Sequence, residues 1–311
     1  MKQTEFGYLK HLVIRFGAYS LKWSLYCNLL SYFKSMKDLF LILFAIGSLL
    51  HSYGQTIDVI SYNIRYDNPD DAPNNWDNRK DFLISQLKFY HPDVFGIQEG
   101  LIHQVKEIDN GLEEYAYFGV GRDYGDERGE HTAVFYNERM VKLLEESTFW
   151  LSTTSEKPSK GWDAALPRTC TYGIFENKSD GEKFMVFNTH FDHVGVKARE
   201  ESSKLILKKI NELNIENYPV VLMGDFNLES DSPGVQVILT EMADAHIAAG
   251  ENAFGPEGTF NGFEFNKPVV KRIDYIFVSY DFEVLKSAIL SDSKDTRYPS
   301  DHLPVFARLK Y

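Results

Sequence analysis

A mixed α/β fold in one domain is what this sequence predicts, on three observations. Short apolar runs rich in β-branched and aromatic residues recur at 57–64, 94–98, 132–136, 184–189, 220–223 and 272–278. Stretches with helical spacing of apolar residues stand beside them. No linker rich in Pro, Gly or Ser divides residues 55–311, and no repeat of fixed period runs through them, so a single core is the economical reading.

Residues 1–54 read as a leader. The run at 39–50, LFLILFAIGSLL, follows Met36-Lys37 and precedes the small and polar stretch His51-Ser52-Tyr53-Gly54. It is shorter than the roughly 20 apolar residues that span a bilayer, and small residues close it, as in a signal peptide. Cleavage is expected before Gln55, leaving no membrane span, with the signal peptide over 36–54 and Met36 as the expected start of translation. A retained N-terminal anchor is the alternative. The destination is then secreted or periplasmic. The single domain follows at 55–311.

Within that domain the apolar runs read as buried strands. Trp76, Phe82, Leu83, Leu87 and Tyr90 mark one amphipathic helix, and Leu101, Val105, Ile108 and Leu112 mark the next. Further helices are expected over 197–213 and over 235–245, the latter entered through Ser232-Pro233. Residues 67–78 and 152–169 are long polar loops, and loops of that length more often serve a site than a core. The segment 122–128 reads as a solvated charged loop, followed by Glu130 and His131 as weak site candidates. Trp76, at helical spacing, and Trp150, which ends a strand-like run, are expected in the core. The chain holds 43% hydrophobic and 14% aromatic residues, enough to fill a core without disulfides. Its two cysteines, Cys27 and Cys170, lack the paired spacing of a zinc site or a disulfide framework.

Polar residues stand at the ends of the apolar runs: Asn63 after DVISYN, Glu99 after VFGIQE, His190 after MVFNTH, Asp225 and Asn227 in VVLMGDFN, Asp274 in RIDYIFVS, and Asp301-His302 in PSDHLP. Any one of them is explained equally well as a cap or a satisfied core group. Together, hard oxygen donors, two imidazoles and two amides are the set that magnesium-assisted attack of water on a phosphoester needs.

These segments, in this order, resemble the endonuclease/exonuclease/phosphatase superfamily with the deoxyribonuclease-I-like fold: SYN at 61–63, QE at 98–99, NTH at 188–190, GDFN at 224–227, IDYI at 273–276 and SDH at 300–302. The resemblance covers nearly all of residues 57–311, and its details look most like the bacterial branch related to deadenylases. It implies an α+β fold, a four-layer α/β/β/α sandwich of two mainly antiparallel sheets, with the site at one rim. It implies Glu99 as the principal ligand of Mg²⁺ (or Mn²⁺), with Asn63 and Asp301 helping. It gives Asp225 the attacking water, Asn227 a hydrogen bond to the nucleophile or phosphoryl oxygen, and His302 the scissile phosphate. Asp274 would orient His302 and raise its pKa, and His190 would supply a second donor. The base is assigned jointly to Asp225 and the Asp274–His302 pair.

Arg65 departs from the pattern, because many nuclease members place an acidic residue there that shares the metal. It puts a second metal in doubt, and can bind substrate phosphate or pair with a carboxylate. Asp192 and His193 add two polar groups beyond the family minimum; alternation would aim Asp192 with His190 if the strand persists, and His193 is a loop histidine or a substrate contact. Trp162 and Arg168 offer an aromatic plate and a planar cation for a base, a sugar ring or a lipid head group, or else simply pack.

Residues 1–54 carry six of the 33 basic side chains and two of the 45 acidic ones, which leaves the remaining 257 residues with a formal balance of −16. A chain that grips long nucleic acid usually presents a basic stripe, and none is visible. The expectation is therefore a metal-dependent phosphoesterase, on a diester rather than a monoester, with a phosphorylated small molecule, a lipid head group or a short nucleic acid as partner, acting as a monomer outside the cytoplasm. A nuclease or a sphingomyelinase-like phospholipid phosphodiesterase is the alternative within the family. An inactive module that binds a phosphate or sugar ligand is the alternative from another class.

Overall fold

The computed structural model describes residues 56–311, and the leader expected over 1–54 lies outside the described residues. In chain order the strands are β1 (Thr56–Asn63), β2 (Val94–Gln98), β3 (Tyr115–Phe118), β4 (Val134–Asn137), β5 (Val141–Trp150), β6 (Thr169–Asn177), β7 (Lys183–His190), β8 (Val220–Asp225), β9 (Ala243–Asp244), β10 (Ala253–Phe254), β11 (Asp274–Val278), β12 (Glu283–Ile289) and β13 (Val305–Lys310). The helices are α1 (Trp76–Tyr90), α2 (Ile102–Gly111), α3 (Val196–Leu213), α4 (Pro233–Ile238) and α5 (Ala245–Ala248). One sheet runs β10-β12-β13-β1-β2-β4-β3 and the other β5-β6-β7-β8-β11-β9.

Three apolar clusters show how the layers stack. Ile57, Val59 and Val94 of the first sheet meet Val186, Val221, Met223 and Ile276 of the second, so the sheets pack face to face. The opposite faces of β1 and β2 turn Ile60, Tyr62, Phe95 and Ile97 against Trp76, Leu83 and Leu87 of α1 and Val105 and Ile108 of α2. On the far side Met185, Phe187, Leu222 and Phe277 meet Ile206, Leu207 and Ile210 of α3. The result is the four-layer α/β/β/α sandwich. Alternation along β1 and β8 produces it, because successive side chains of a strand face opposite layers and both layers here are apolar.

Asn188 ties the sheets together. Its amide nitrogen donates to the Ile97 and Ala133 carbonyls of the first sheet at 2.9 and 3.0 Å, and Gln98 Nε2 donates to its Oδ1 at 2.7 Å. The facing residue is Gly96, where a Cβ would lie 2.5 Å from the Asn188 side chain, so only glycine leaves room for this buried bridge.

The helix expected over 235–245 is broken. The α4 helix stops at Ile238, β9 pairs with β11, and α5 begins after Asp244, whose carboxylate accepts from His246 N and from Arg272 Nη2 at 2.9 and 2.6 Å. An aspartate that satisfies free amides of a new helix start ends the strand before it. The strands β3, β6, β12 and β13 carried no clear sequence signal, and of β5 only the strand-like run ending at Trp150 showed. In β5 most of residues 142–147 are exposed, as suits an edge strand with only one neighbour.

Candidate active site

Strand register within each sheet, together with the packing of the two sheets, brings the polar strand ends together. Asn63 closes β1, and Glu99 follows β2, its parallel neighbour, with Asn63 opposite Gln98. His190 closes β7 and sits opposite Asp225, the last residue of the parallel β8. Asp274 opens the antiparallel β11 and also faces Asp225. Five strand ends therefore share one rim. At Gly224, φ is +152° and a Cβ would lie 2.1 Å from the Thr189 carbonyl oxygen, so glycine is what allows β8 to bring Asp225 beside His190.

The bond across the rim is made by Asn63, whose Nδ2 donates to Asp225 Oδ2 at 2.9 Å and to Glu99 Oε1 at 3.1 Å. The other Glu99 oxygen accepts from Tyr66 N at 3.2 Å. One oxygen each of Glu99 and Asp225 and a ring nitrogen of His302 all lie within 4.8 Å of one another. His302 Nδ1 is 2.8 Å from Asp274 Oδ2, which leaves Nε2 facing Asp225 Oδ2 at 3.9 Å. His190 Nε2 approaches the same oxygen at 3.5 Å. Arg65, Glu99 and Asn227 adopt positive φ of 56°, 64° and 49°. Left-handed backbone at three non-glycine residues is strain held at the rim, of order 1 kcal/mol or more each.

Burial and charge set the protonation. Asp225 is buried and its carboxyl is pushed up to about 7, first by desolvation and then by the neighbouring Asp274 charge. Desolvation works against an imidazolium at His302, but the charge and hydrogen bond of Asp274, with Asp225 and Asp301 behind it, outweigh it and hold the ring at about 10. His190 is driven the other way, well below the ordinary range, by burial and then by Arg168 and Arg122. Asp301 is raised by burial. Burial away from water disfavours these carboxylates, and a bound cation would offset that cost. Their hard oxygens fit a hard divalent cation. Glu99, Asp225 and His302 have the ligand atoms nearest one another, while the Asn63 amide turns its nitrogen to both carboxylates and its oxygen to Arg65 N. His302, kept protonated by the Asp274 charge, faces the site as an N–H donor rather than as a ligand. Asp301 lines the same cavity but stands 3.8 Å from Arg65 Nε.

The cavity at this rim holds about 670 Å³. Of the residues singled out from sequence, Arg65, Glu99, Glu130, Arg168, His190, His193, Asp225, Asn227, Asp301 and His302 line it. Asn63 and Asp274 stand just behind, each bonded to a lining side chain. Arg65 is clamped by Asp71, with Nε 2.8 Å and Nη2 3.1 Å from its two carboxylate oxygens, and also stands 3.9 Å from Glu99 Oε2, so it is both a salt-bridge partner and a cavity wall. Asn227 spends one amide hydrogen on the Phe191 carbonyl and keeps the other.

Four residues singled out from the sequence stand elsewhere than expected. Asp192 does not face the cavity, because the strand ends at His190. Its carboxylate accepts from the backbone N–H groups of Ala165, Leu166, Val194 and Gly195, and those bonds, outweighing burial, pull it to about 2. Trp162 is not among the lining residues; its neighbour Asp163 accepts from Lys197 N and Ala198 N and caps α3. Arg122, read as part of a solvated loop, is buried, and pairs with Glu130 at 2.5 Å. His131 is buried and bonded to the Gly100 carbonyl, away from the cavity.

Sequence reading missed Tyr66, Phe260, Phe263 and Lys271 in the wall. Phe260 and Lys271 come from loops without a periodic pattern, and only the bridge of Phe260 to His302 and to Lys271 brings them in.

The sequence profile of the Endonuclease/Exonuclease/phosphatase family matches residues 60–302. An endonuclease/exonuclease/phosphatase family protein from Bacteroides thetaiotaomicron is 38% identical, with a TM-score of 0.79 over 82% of this chain and 95% of that one. A mannosyl-6-phosphatase from the same species, strain VPI-5482, is also 38% identical, with a TM-score of 0.78 over 82% of this chain and 100% of that one. The CCR4-Not complex 3'-5'-exoribonuclease subunit Ccr4 of Candida albicans is 22% identical over 76% of this chain and 37% of its own length. The chain spans 60% or less of the length of the first curated relatives it matches.

Proposed function

We propose, from the premise that this chain belongs to the endonuclease/exonuclease/phosphatase family, that it hydrolyses a phosphate monoester of a sugar with the help of Mg²⁺ or Mn²⁺. The observation that carries the reading is the composition of one cavity. Carboxylates and imidazoles converge on its floor, Arg65, Arg168 and Lys271 add positive charge, and Tyr66, Phe260 and Phe263 form aromatic wall. Aromatic faces suit the C–H face of a sugar ring, while clustered donors suit a phosphate. The similarity to a mannosyl-6-phosphatase supports the same substrate class.

In this reading Glu99, with Asn63 and Asp301, would hold the cation, whose chemistry is neutralisation of phosphoryl charge. Asp225, with its carboxyl near neutrality, takes the proton of the attacking water. The His302 imidazolium, fixed by Asp274, and the His190 N–H donate to phosphoryl oxygens. The acidic balance of residues 55–311 disfavours a long polyanion. The apolar run at 39–50 supports action outside the cytoplasm as part of the same proposal.

A diester, the expectation from sequence, is the second reading, favoured by the exoribonuclease relative. Chelated protein resupplied with Mg²⁺ and given mannose 6-phosphate, p-nitrophenyl phosphate or bis-p-nitrophenyl phosphate separates the two. The proposal expects metal-dependent phosphate release, faster from the monoesters, and its loss in Glu99→Ala and His302→Ala. A faster diester reaction, or equal traces in all three proteins, overturns it.

A further inference from the structure

Among the residues of the cavity, Arg168 holds an arrangement that the metal and Asp225 chemistry does not require. Its Nη1 lies 3.0 Å from His190 Nδ1, and its Nη2 lies 3.0 Å from His193 Nδ1. We infer that Arg168 is a positioning residue holding His190 and His193 as a pair of Nε2–H donors, and that His193 thereby contacts the phosphoryl oxygen that a monoester leaves free and a diester esterifies. The inference deepens the phosphomonoesterase reading and rests on it for the second clause only.

The first clause follows from donor counting. A guanidinium carries hydrogen on every nitrogen and accepts nothing. A ring nitrogen that bonds to it must therefore accept, which leaves the single ring proton on Nε2. The two arms of one planar fork thus set the same tautomer in both rings and point both Nε2–H groups away from the arginine. The His190 ring then looks toward Asp225 at 3.5 Å, and both rings line the cavity.

The fork is buried beside two carboxylates. The Arg168 side chain is only 5% exposed, with Glu130 at 3.9 Å and Asp192 at 3.7 Å, beyond hydrogen-bond reach, so its hydrogen bonds are those to the two imidazoles. Asp192, fixed by its four backbone N–H bonds, pins the turn that carries His193. His193 itself is exposed. A buried cation that directs one arm at an exposed ring gains little stability from it, so the contact has the form of an aiming device.

The second clause follows from the substrate. A monoester presents three non-bridging oxygens and a diester two. His302 and His190 already flank Asp225, and His193 adds a third imidazole N–H on the same wall.

Histidine-labelled protein read by long-range ¹H–¹⁵N spectra tests the fork, and the ratio of kcat/KM on p-nitrophenyl phosphate to that on bis-p-nitrophenyl phosphate tests the contact. The expected spectra show both rings as Nε2–H tautomers, and Arg168→Met or, where that variant does not fold, Arg168→Lys loses this pattern at one ring or both. Since His193 is exposed, His193→Ala is expected to fold, and to lower the monoester-to-diester ratio by about tenfold, as for the loss of one hydrogen bond to a charged group. A proton on His193 Nδ1 in the parent overturns the fork. An unchanged ratio in His193→Ala, in a protein that cleaves monoesters, overturns the contact alone. A parent that prefers the diester overturns the phosphomonoesterase reading and the contact with it, while the spectra still decide the fork.

Discussion

Asp274→Asn is the substitution whose outcome the geometry constrains most tightly. In the native site His302 Nδ1 lies 2.8 Å from Asp274 Oδ2, the His302 side chain is 5% exposed, and its pKa stands at about 10 against an ordinary 6.5. That difference corresponds to about 5 kcal/mol of preference for the imidazolium, at 1.36 kcal/mol per unit. An amide removes the charge and leaves burial, the largest single influence on the ring, opposed only by the more distant Asp225 and Asp301. His302 is then expected to titrate below 6.5 in metal-free protein, read by ring C–H shifts.

The linkage has a definite sign. A raised histidine stabilises the fold fully below pH 6.5, and the contribution fades as pH rises through about 10. Between pH 7 and 10 the parent should thus lose on the order of 3 kcal/mol from this group, and Asp274→Asn should not. Asp225, pushed up to about 7, is half ionised at the start of that window and adds only about 0.4 kcal/mol to the fall, in parent and variant alike. At pH 7 the variant should lose about 10²- to 10³-fold in kcat/KM, the range for a lost acid or charged donor. A His302 that still titrates above 9 in the variant, or a loss below about threefold, would refute the account of the pair.

Arg79 donates to the carbonyls of Ile64, Arg65, Tyr66, Asn74 and Pro299, which fastens the loop after β1 to the segment leading into Asp301. Arg79→Met should cost about 3–5 kcal/mol in urea unfolding, as for a broken buried charged network, and a cost below 1 kcal/mol would show that the loop holds itself. Asp93 is buried beneath Asp58, and its carboxyl is raised to about 6 by desolvation, despite the hydrogen bond from Asp58 N at 2.7 Å. Its ionised form is disfavoured in the fold, so stability falls as pH rises from about 4 through 6 and stays lower above; Asp93→Asn keeps an acceptor and should gain up to about 3 kcal/mol at pH 7, with no gain at pH 3.5. An equal effect at both pH values would exclude charge as the cause. Glu99→Gln should abolish the rise in melting temperature that Mg²⁺ gives the parent, since ligand stabilisation scales with affinity for the native state; an unchanged rise would place the cation elsewhere.

How much of this could be read from the chain depends on the range of the signal. The strands β1, β2, β7, β8 and β11 were visible because they are buried on both faces and therefore continuously apolar. The edge strand β5 showed only in the run ending at Trp150, since along most of its length its neighbours are water as much as protein. Residues 235–245 looked helical because apolar spacing is local, while the pairing of β9 with β11 that breaks the helix is not. In the site, Asn63, Glu99, Asp225, Asp274 and His302 were legible because each follows or opens a legible strand. Asp192 was misread for want of knowing that β7 stops at His190. Phe260, Phe263 and Lys271 belong to a loop that reaches the rim only through pairing with distant residues.

The order of short polar segments at strand ends, taken alone, determined the family, the sandwich and the side chains of the rim, because covalent order and hydrophobic pattern are properties of the chain itself. Tertiary structure decided which groups are donors and which are acceptors. Asp274 keeps His302 protonated, Arg168 fixes the tautomers of His190 and His193, and Asp192 serves the backbone instead of the cavity. Each depends on two or more groups meeting at about 3 Å with water excluded, where desolvation and a near charge outweigh what the side chain would do in solution.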